Sequence, residues 1–86
     1  MKLQYTERFI EDYGRLNDTL KQQADKALDL FIQDPRHPSL HTKKVKGRKG
    51  IWEARFTVRD RFTFSWEKNG VCMLRRIGPH EQLKNP

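Results

Sequence analysis

The chain has 86 residues, 35% of them hydrophobic and 34% charged, with a formal net charge of +7 and a pI near 9.9. A single domain of this length buries about 60 to 65% of the surface its unfolded chain exposes, which excludes a deep, enclosed cofactor cavity and puts any chemistry on an open face. Five Phe, two Trp and two Tyr are enough to pack a small core, which excludes a disordered chain.

In chain order, Leu3 and Tyr5 alternate with polar residues and predict a short first strand. Thr6 can cap a helix whose apolar positions Phe9, Ile10, Tyr13 and Leu16 recur at helical spacing. Asn17-Asp18 breaks that pattern and can cap a second helix with Leu20, Ala24, Ala27, Leu28 and Phe31 on one face. This helix stops at Asp34, because Pro35 disfavours helical geometry in the residue before it. The two helices form an αα-hairpin whose apolar stripe is best satisfied as the cover of a sheet. Two prolines in Asp34-Pro35-Arg36-His37-Pro38-Ser39 mark a loop.

Residues 42–46 can then make a short strand, residues 47–50 a basic turn, and residues 51–56 a strand with Trp52, Ala54 and Phe56 on one face and Glu53 and Arg55 on the other. Phe62, Phe64 and Trp66 alternate with Arg61, Thr63 and Ser65 in the same way. Lys68-Asn69-Gly70 carries the Asn-Gly hairpin signal and leads into a last strand over residues 71–77. The expected fold is α+β, a single domain over residues 1–86: a small antiparallel sheet, apolar on one face and cationic on the other, packed against an N-terminal αα-hairpin in the order β-α-α-β-β-β-β. Val71, Cys72, Met73 and Leu74 are consecutively apolar, as in a central strand covered on both faces. Periodicity therefore leaves open which of Arg75 and Arg76 faces the cationic surface.

The positive charge is unevenly placed. Residues 1–35 carry five Lys/Arg against seven Asp/Glu, a net −2, whereas residues 36–86 carry thirteen against four, a net +9. Such a field draws polyanions and supplies the salt-sensitive share of nucleic-acid affinity; it equally draws an acidic protein. The one cysteine, Cys72, lies in an apolar run and reads as a core residue of a reducing compartment. No apolar run approaches about 20 residues, and charges rather than an apolar stretch follow Tyr5, so the expectation is a cytoplasmic protein without membrane insertion.

The segment Leu74-Arg75-Arg76-Ile77-Gly78-Pro79-His80 brings guanidiniums close to an imidazole at a Gly-Pro turn. Arginine offers a fork of donors matched to phosphate oxygens, and histidine can give or take a proton near neutrality. Cleavage of RNA by its own 2′-hydroxyl needs a base, an acid for the 5′-oxygen, and cations for the charge that grows on phosphorus. His80 is the economical acid or base, with Arg76 and Arg61 as the clamp and Arg55 and Lys46 as helpers. Glu53 is either a second proton carrier or an ion-pair partner for Arg55. Lys43, Lys44, His37 and His41 are candidate RNA contacts. Clustered metal ligands are missing from the sequence, since Cys72 is isolated and His37 and His41 give only two, so neither metal nor cofactor is expected.

The pieces Asp34-Pro35-Arg36-His37-Pro38-Ser39-Leu40, Gly50-Ile51-Trp52-Glu53-Ala54-Arg55, Asp60-Arg61-Phe62-Thr63-Phe64 and Arg76-Ile77-Gly78-Pro79-His80 resemble the RelE/ParE superfamily of toxins from toxin–antitoxin systems, in its YafQ-like branch. The resemblance implies a metal-free ribonuclease that cuts messenger RNA at the ribosome and is held by a cognate antitoxin in a hetero-oligomer. It implies that Arg61 matches an arginine of the fourth strand, Arg76 the phosphate-binding arginine of the last strand, and His80 the histidine that ends the motif. The chain departs from RelE where Glu53 and Arg55 replace lysines and where no catalytic tyrosine precedes Pro86. The alternatives are a ParE-like protein that binds and inhibits DNA gyrase without cutting, and an inactive relative.

Overall fold

A computed structural model describes residues 1–86, the side chain of Gln82 excepted. Strand β1 (Lys2–Tyr5) leads into helices α1 (Glu7–Gly14) and α2 (Asp18–Gln33), followed by strands β2 (Lys43–Lys44), β3 (Trp52–Arg55), β4 (Asp60–Trp66) and β5 (Val71–Pro79). Both helices start where a side chain can satisfy their first free N–H groups. The Thr6 hydroxyl accepts from the Phe9 amide at 3.0 Å, and the Asn17 side-chain oxygen accepts from the Leu20 amide at 2.8 Å. α2 gives way at Asp34, whose extended backbone (φ −152°, ψ 86°) is what the following proline demands.

The strands form one sheet in the order β1-β5-β4-β3-β2. β2 to β5 pair antiparallel in sequence, as expected, but β1 runs parallel to β5, so the sheet is mixed. A parallel neighbour needs a long crossover, and the helical hairpin and the meander together provide it. β2 is only two residues long, against the five expected, because the Thr42 hydroxyl donates to the Pro35 carbonyl at 3.0 Å and ties that residue into the loop. Asn69 (φ 62°) and Gly70 (φ 71°) both take the left-handed conformation that a tight hairpin turn requires.

The core lies between the helical hairpin and one sheet face. Phe31 of α2 meets Phe62 and Phe64 edge-on at centroid distances of 5.3 and 4.7 Å, and Phe9, Ala24, Leu40, Ala54, Leu74 and Ile77 fill in around them. Trp52 and Phe56 pack half-buried against this cluster, as their alternation with Glu53 and Arg55 predicts. Ile10 does not join it and is 60% exposed. Cys72 is fully buried, and desolvation pushes its thiol up to about 12.

One irregularity matters for the site. Phe62 pairs with Ile77 and Phe64 with Leu74, both pairs facing the helices, so Arg75 and Arg76 together face the single residue Thr63. Neighbours on a strand already point to opposite faces, so Arg75 and Arg76 diverge by alternation, and the bulge returns Ile77 to the helix face three residues after Leu74.

Candidate active site on the open sheet face

Glu53 alternates with Trp52 and Ala54, which pack on the core, so its side chain points to the face without helices. It is only 7% exposed even there. Two cations and an imidazole surround it. Lys43, its partner across the β2–β3 ladder, places Nζ 3.5 Å from Oε1; Arg61 Nε lies 3.9 Å from the same oxygen; and His80 Nδ1 lies 4.0 Å from Oε2. These are ion-pair separations, longer than a good hydrogen bond, and they leave lone pairs of the carboxylate free to take a proton. Residues 43, 53, 61 and 80 thus converge from three strands and a turn.

Each is held by its element. Arg61 precedes Thr63 by two residues on β4, and its guanidinium also donates to the Val58 carbonyl at 3.2 Å. His80 follows the end of β5, and its amide donates to the Arg59 carbonyl at 2.9 Å, fixing the turn. The Arg59 guanidinium then bonds Glu81 at 2.7 Å, so Glu81 is held below the usual carboxylate range by that hydrogen bond. The His80 side chain is 62% exposed and has room to move against a substrate.

Arg76 is not brought to this cluster. Its Nε and Nη2 form a bidentate pair with Asp12 of α1 at 2.7 and 3.1 Å, and the same carboxylate accepts the Ile77 amide at 3.2 Å. The Asp12 hydrogen bond raises the Arg76 pKa further. Arg76 is therefore a strut between α1 and β5, where the resemblance implied a phosphate clamp. Arg75 is the arginine of the open face: its Nε and the Thr63 hydroxyl both donate to the Pro86 carbonyl, each at 3.1 Å.

With this geometry in place, the chain can be set beside solved structures. It overlays the YoeB/ParE toxin from Agrobacterium tumefaciens with a TM-score of 0.77 at 21% identity, covering 93% of this chain and 99% of that one. It overlays YafQ from E. coli with a TM-score of 0.76 at 15% identity, covering 98% of each. It also overlays the E. coli RelBE toxin–antitoxin complex with a TM-score of 0.70 at 19% identity, over 91% of this chain and 94% of that one. The fold is that of the RelE/ParE toxins. No protein-family model and no curated protein matches the chain.

On this RelE/ParE frame the remaining candidates are spread over three clefts, Arg55 lining one with Ser39, Leu40 and Phe56. Lys46, with Lys43, Lys44, Val45, Glu53 and His80, lines an open cleft of about 400 Å³ over the cluster. Arg55 sits opposite Arg61 in the ladder; its Nε is buried and lacks a partner among the described residues. His37 and His41 lie elsewhere, in a third cleft with Trp52 and Trp66, and Lys44 Nζ lies over the Trp52 ring at 5.5 Å. No three His, Cys, Asp or Glu side chains converge as metal ligands among the described residues. Sequence reasoning left Arg75 open against Arg76, and it missed Asp12, Arg59 and the C-terminal segment, which Arg48 ties down through the Lys84 carbonyl (3.3 Å) and Asn85 (3.4 Å). Asp12 carried no signal, since beside Glu11 on an amphipathic helix it reads as one more solvated acid.

Proposed function

We propose that this chain is the toxin of a toxin–antitoxin system and acts as an endoribonuclease that cuts messenger RNA at the ribosome, in the cytoplasm. The observation that carries this reading is the meeting of Glu53 and His80 with Arg61 and Lys43 on an open sheet face. The fold agrees, being shared with RelE and YafQ, which have been solved in toxin–antitoxin complexes.

In the proposed reaction the Glu53 carboxylate takes the proton of a 2′-hydroxyl, whose oxygen attacks the adjacent phosphorus. The bond from phosphorus to the 5′-oxygen breaks, and protonated His80 gives its proton to that oxygen. The products are a 2′,3′-cyclic phosphate and a 5′-hydroxyl, so charge and protons balance without a further reactant. Arg61 holds a non-bridging oxygen, where negative charge grows in the transition state, and Lys43 adds its exposed charge beside it. Lys46, Arg55 and Arg75 add to the field that draws the RNA in. The same field fits an acidic antitoxin segment lying over this face, with binding that weakens as salt rises.

The test is translation of a defined message with ribosomes, with and without chelator, followed by mapping of the cut ends. Cleavage with chelator present is expected, and His80→Ala and Glu53→Gln should each lower it about 10²- to 10⁴-fold while the protein stays folded. Growth inhibition that survives His80→Ala with messages intact would replace this reading by the gyrase-binding one.

A further inference from the structure

A cleft of about 560 Å³ opens between the loop after α2 and the sheet, on the opposite side of β2 from Glu53. Trp52 and Trp66 line it together with Arg36, His37 and His41. The indoles are backed by core rings: Trp66 stacks on Phe31 at 6.0 Å and Trp52 on Phe64 at 6.5 Å. Trp66 is nonetheless 46% exposed, a large aromatic surface left open at the rim of a cleft.

The loop is built to hold its shape. His37 Nδ1 accepts the Ser39 amide at 3.2 Å and lies 2.8 Å from the Ser39 hydroxyl, an arrangement that puts the ring proton on Nε2 as a free donor. The His41 amide donates to the Pro38 carbonyl at 3.2 Å, and His41 itself sits in the left-handed region (φ 48°, ψ 43°). That conformation is strained for a residue with a Cβ and persists only where its surroundings impose it.

From these features we infer that the cleft binds an unstacked base of single-stranded RNA, between the indoles and the loop imidazoles. The inference rests on the ribonuclease reading for the identity of the polymer. Every base has a face to stack on an indole, and the ring N–H of His37 and the Arg36 guanidinium are donors for base-edge acceptors. The two clefts are joined at β2, a two-residue edge strand. Lys43 points to Glu53 and its successor Lys44 to Trp52, so an RNA strand crossing this edge meets positive charge on both sides. One nucleotide can hold its phosphate at Glu53 and His80 while a neighbour places its base in the cleft.

Both tryptophans of the chain line this cleft, so intrinsic fluorescence reports on it directly. The experiment titrates His80→Ala protein, which leaves the probe uncut, with a short RNA and with an abasic oligomer carrying the same number of phosphates. The RNA should quench the fluorescence and bind about tenfold more tightly than the abasic oligomer. Trp66→Leu, checked for an unchanged fold, should remove most of that advantage and leave the abasic oligomer unaffected. Equal binding of the two oligomers, no quenching by either, or quenching by an acidic peptide but not by RNA would overturn the inference. Base-dependent quenching in a wild-type protein that cuts nothing would sink the ribonuclease reading and leave the base site standing. Cleavage without base dependence would do the reverse.

Discussion

The helix side and the open side of the sheet use charge in opposite ways. On the helix side one ion pair, Asp12 with Arg76, is nearly buried, bidentate and hydrogen-bonded to backbone, with side chains 8% and 16% exposed. On the open side Glu53 has two cations and an imidazole at 3.5 to 4.0 Å and is saturated by none of them. A pair whose donors and acceptors are all matched holds two elements together and has nothing left for a ligand. A carboxylate among loosely placed cations keeps capacity for a proton and for an anion. The contrast is sharpest at Arg75 and Arg76, neighbours in sequence that strand alternation assigns to different faces.

Perturbing the helix side should first and most strongly affect stability. Phe64→Ala removes a fully buried ring that packs on Phe31 and Trp52, and should lower stability by about 3 to 5 kcal/mol, a large share of what so small a domain has. A circular-dichroism melt reads it. An unchanged midpoint would mean that the two faces are not divided as described.

Cys72 offers a nearly equal contrast by chemistry. A thiol held at about 12 by burial carries roughly a thousandth of the thiolate of a free cysteine at the same pH. Disulfide reagents should therefore label native protein at least about a hundredfold more slowly than urea-unfolded protein. Rapid labelling of the native state would show that the core around Cys72 opens far more readily than its burial implies.

The third perturbation separates the arginines. Asp12→Ala should cost about 3 kcal/mol, since it leaves the Arg76 charge nearly buried and unpaired, and Arg76→Ala somewhat less, because Asp12 keeps Arg15 at 3.6 Å. The double variant should cost less than the sum of the two, the mark of a coupled pair. Arg61→Ala breaks a longer ion pair, 3.9 Å from Glu53, so it should lower the melt less than Asp12→Ala does while lowering cleavage. Arg76→Ala that melts normally and abolishes cleavage would return Arg76 to the phosphate clamp that the sequence resemblance implied.

Much of this was legible before any coordinates, and the reason is locality. Caps at Thr6 and Asn17, the end of α2 before Pro35 and the Asn69-Gly70 turn each depend on a few adjacent residues. The alternation of Trp52, Ala54 and Phe56 fixed a strand face without knowledge of its neighbours. What escaped depends on pairing at a distance. The bulge that keeps both Leu74 and Ile77 on the core face exists only in register with β4, and Asp12 meets its arginine 64 positions away. For Glu53 the sequence suggested Arg55, two residues along the same strand, whereas its partners come from β2, β4 and the turn after β5.

The smallest expected effect lies at the edge where the two clefts meet. The Lys43 side chain is 65% exposed, and a single exposed ion pair contributes roughly 0 to 1 kcal/mol. Lys43→Ala should therefore leave the melting midpoint within a degree or two and reduce cleavage only a few-fold at low salt, with the deficit shrinking as added salt screens the shared field. Lys43→Glu, which reverses the charge beside Glu53, should do more than the loss of one cation, because two carboxylates would then face the same phosphate. A large, salt-independent loss in Lys43→Ala would show that the ammonium contacts the reacting phosphate directly, and Lys43 would then share Arg61's role on the open face.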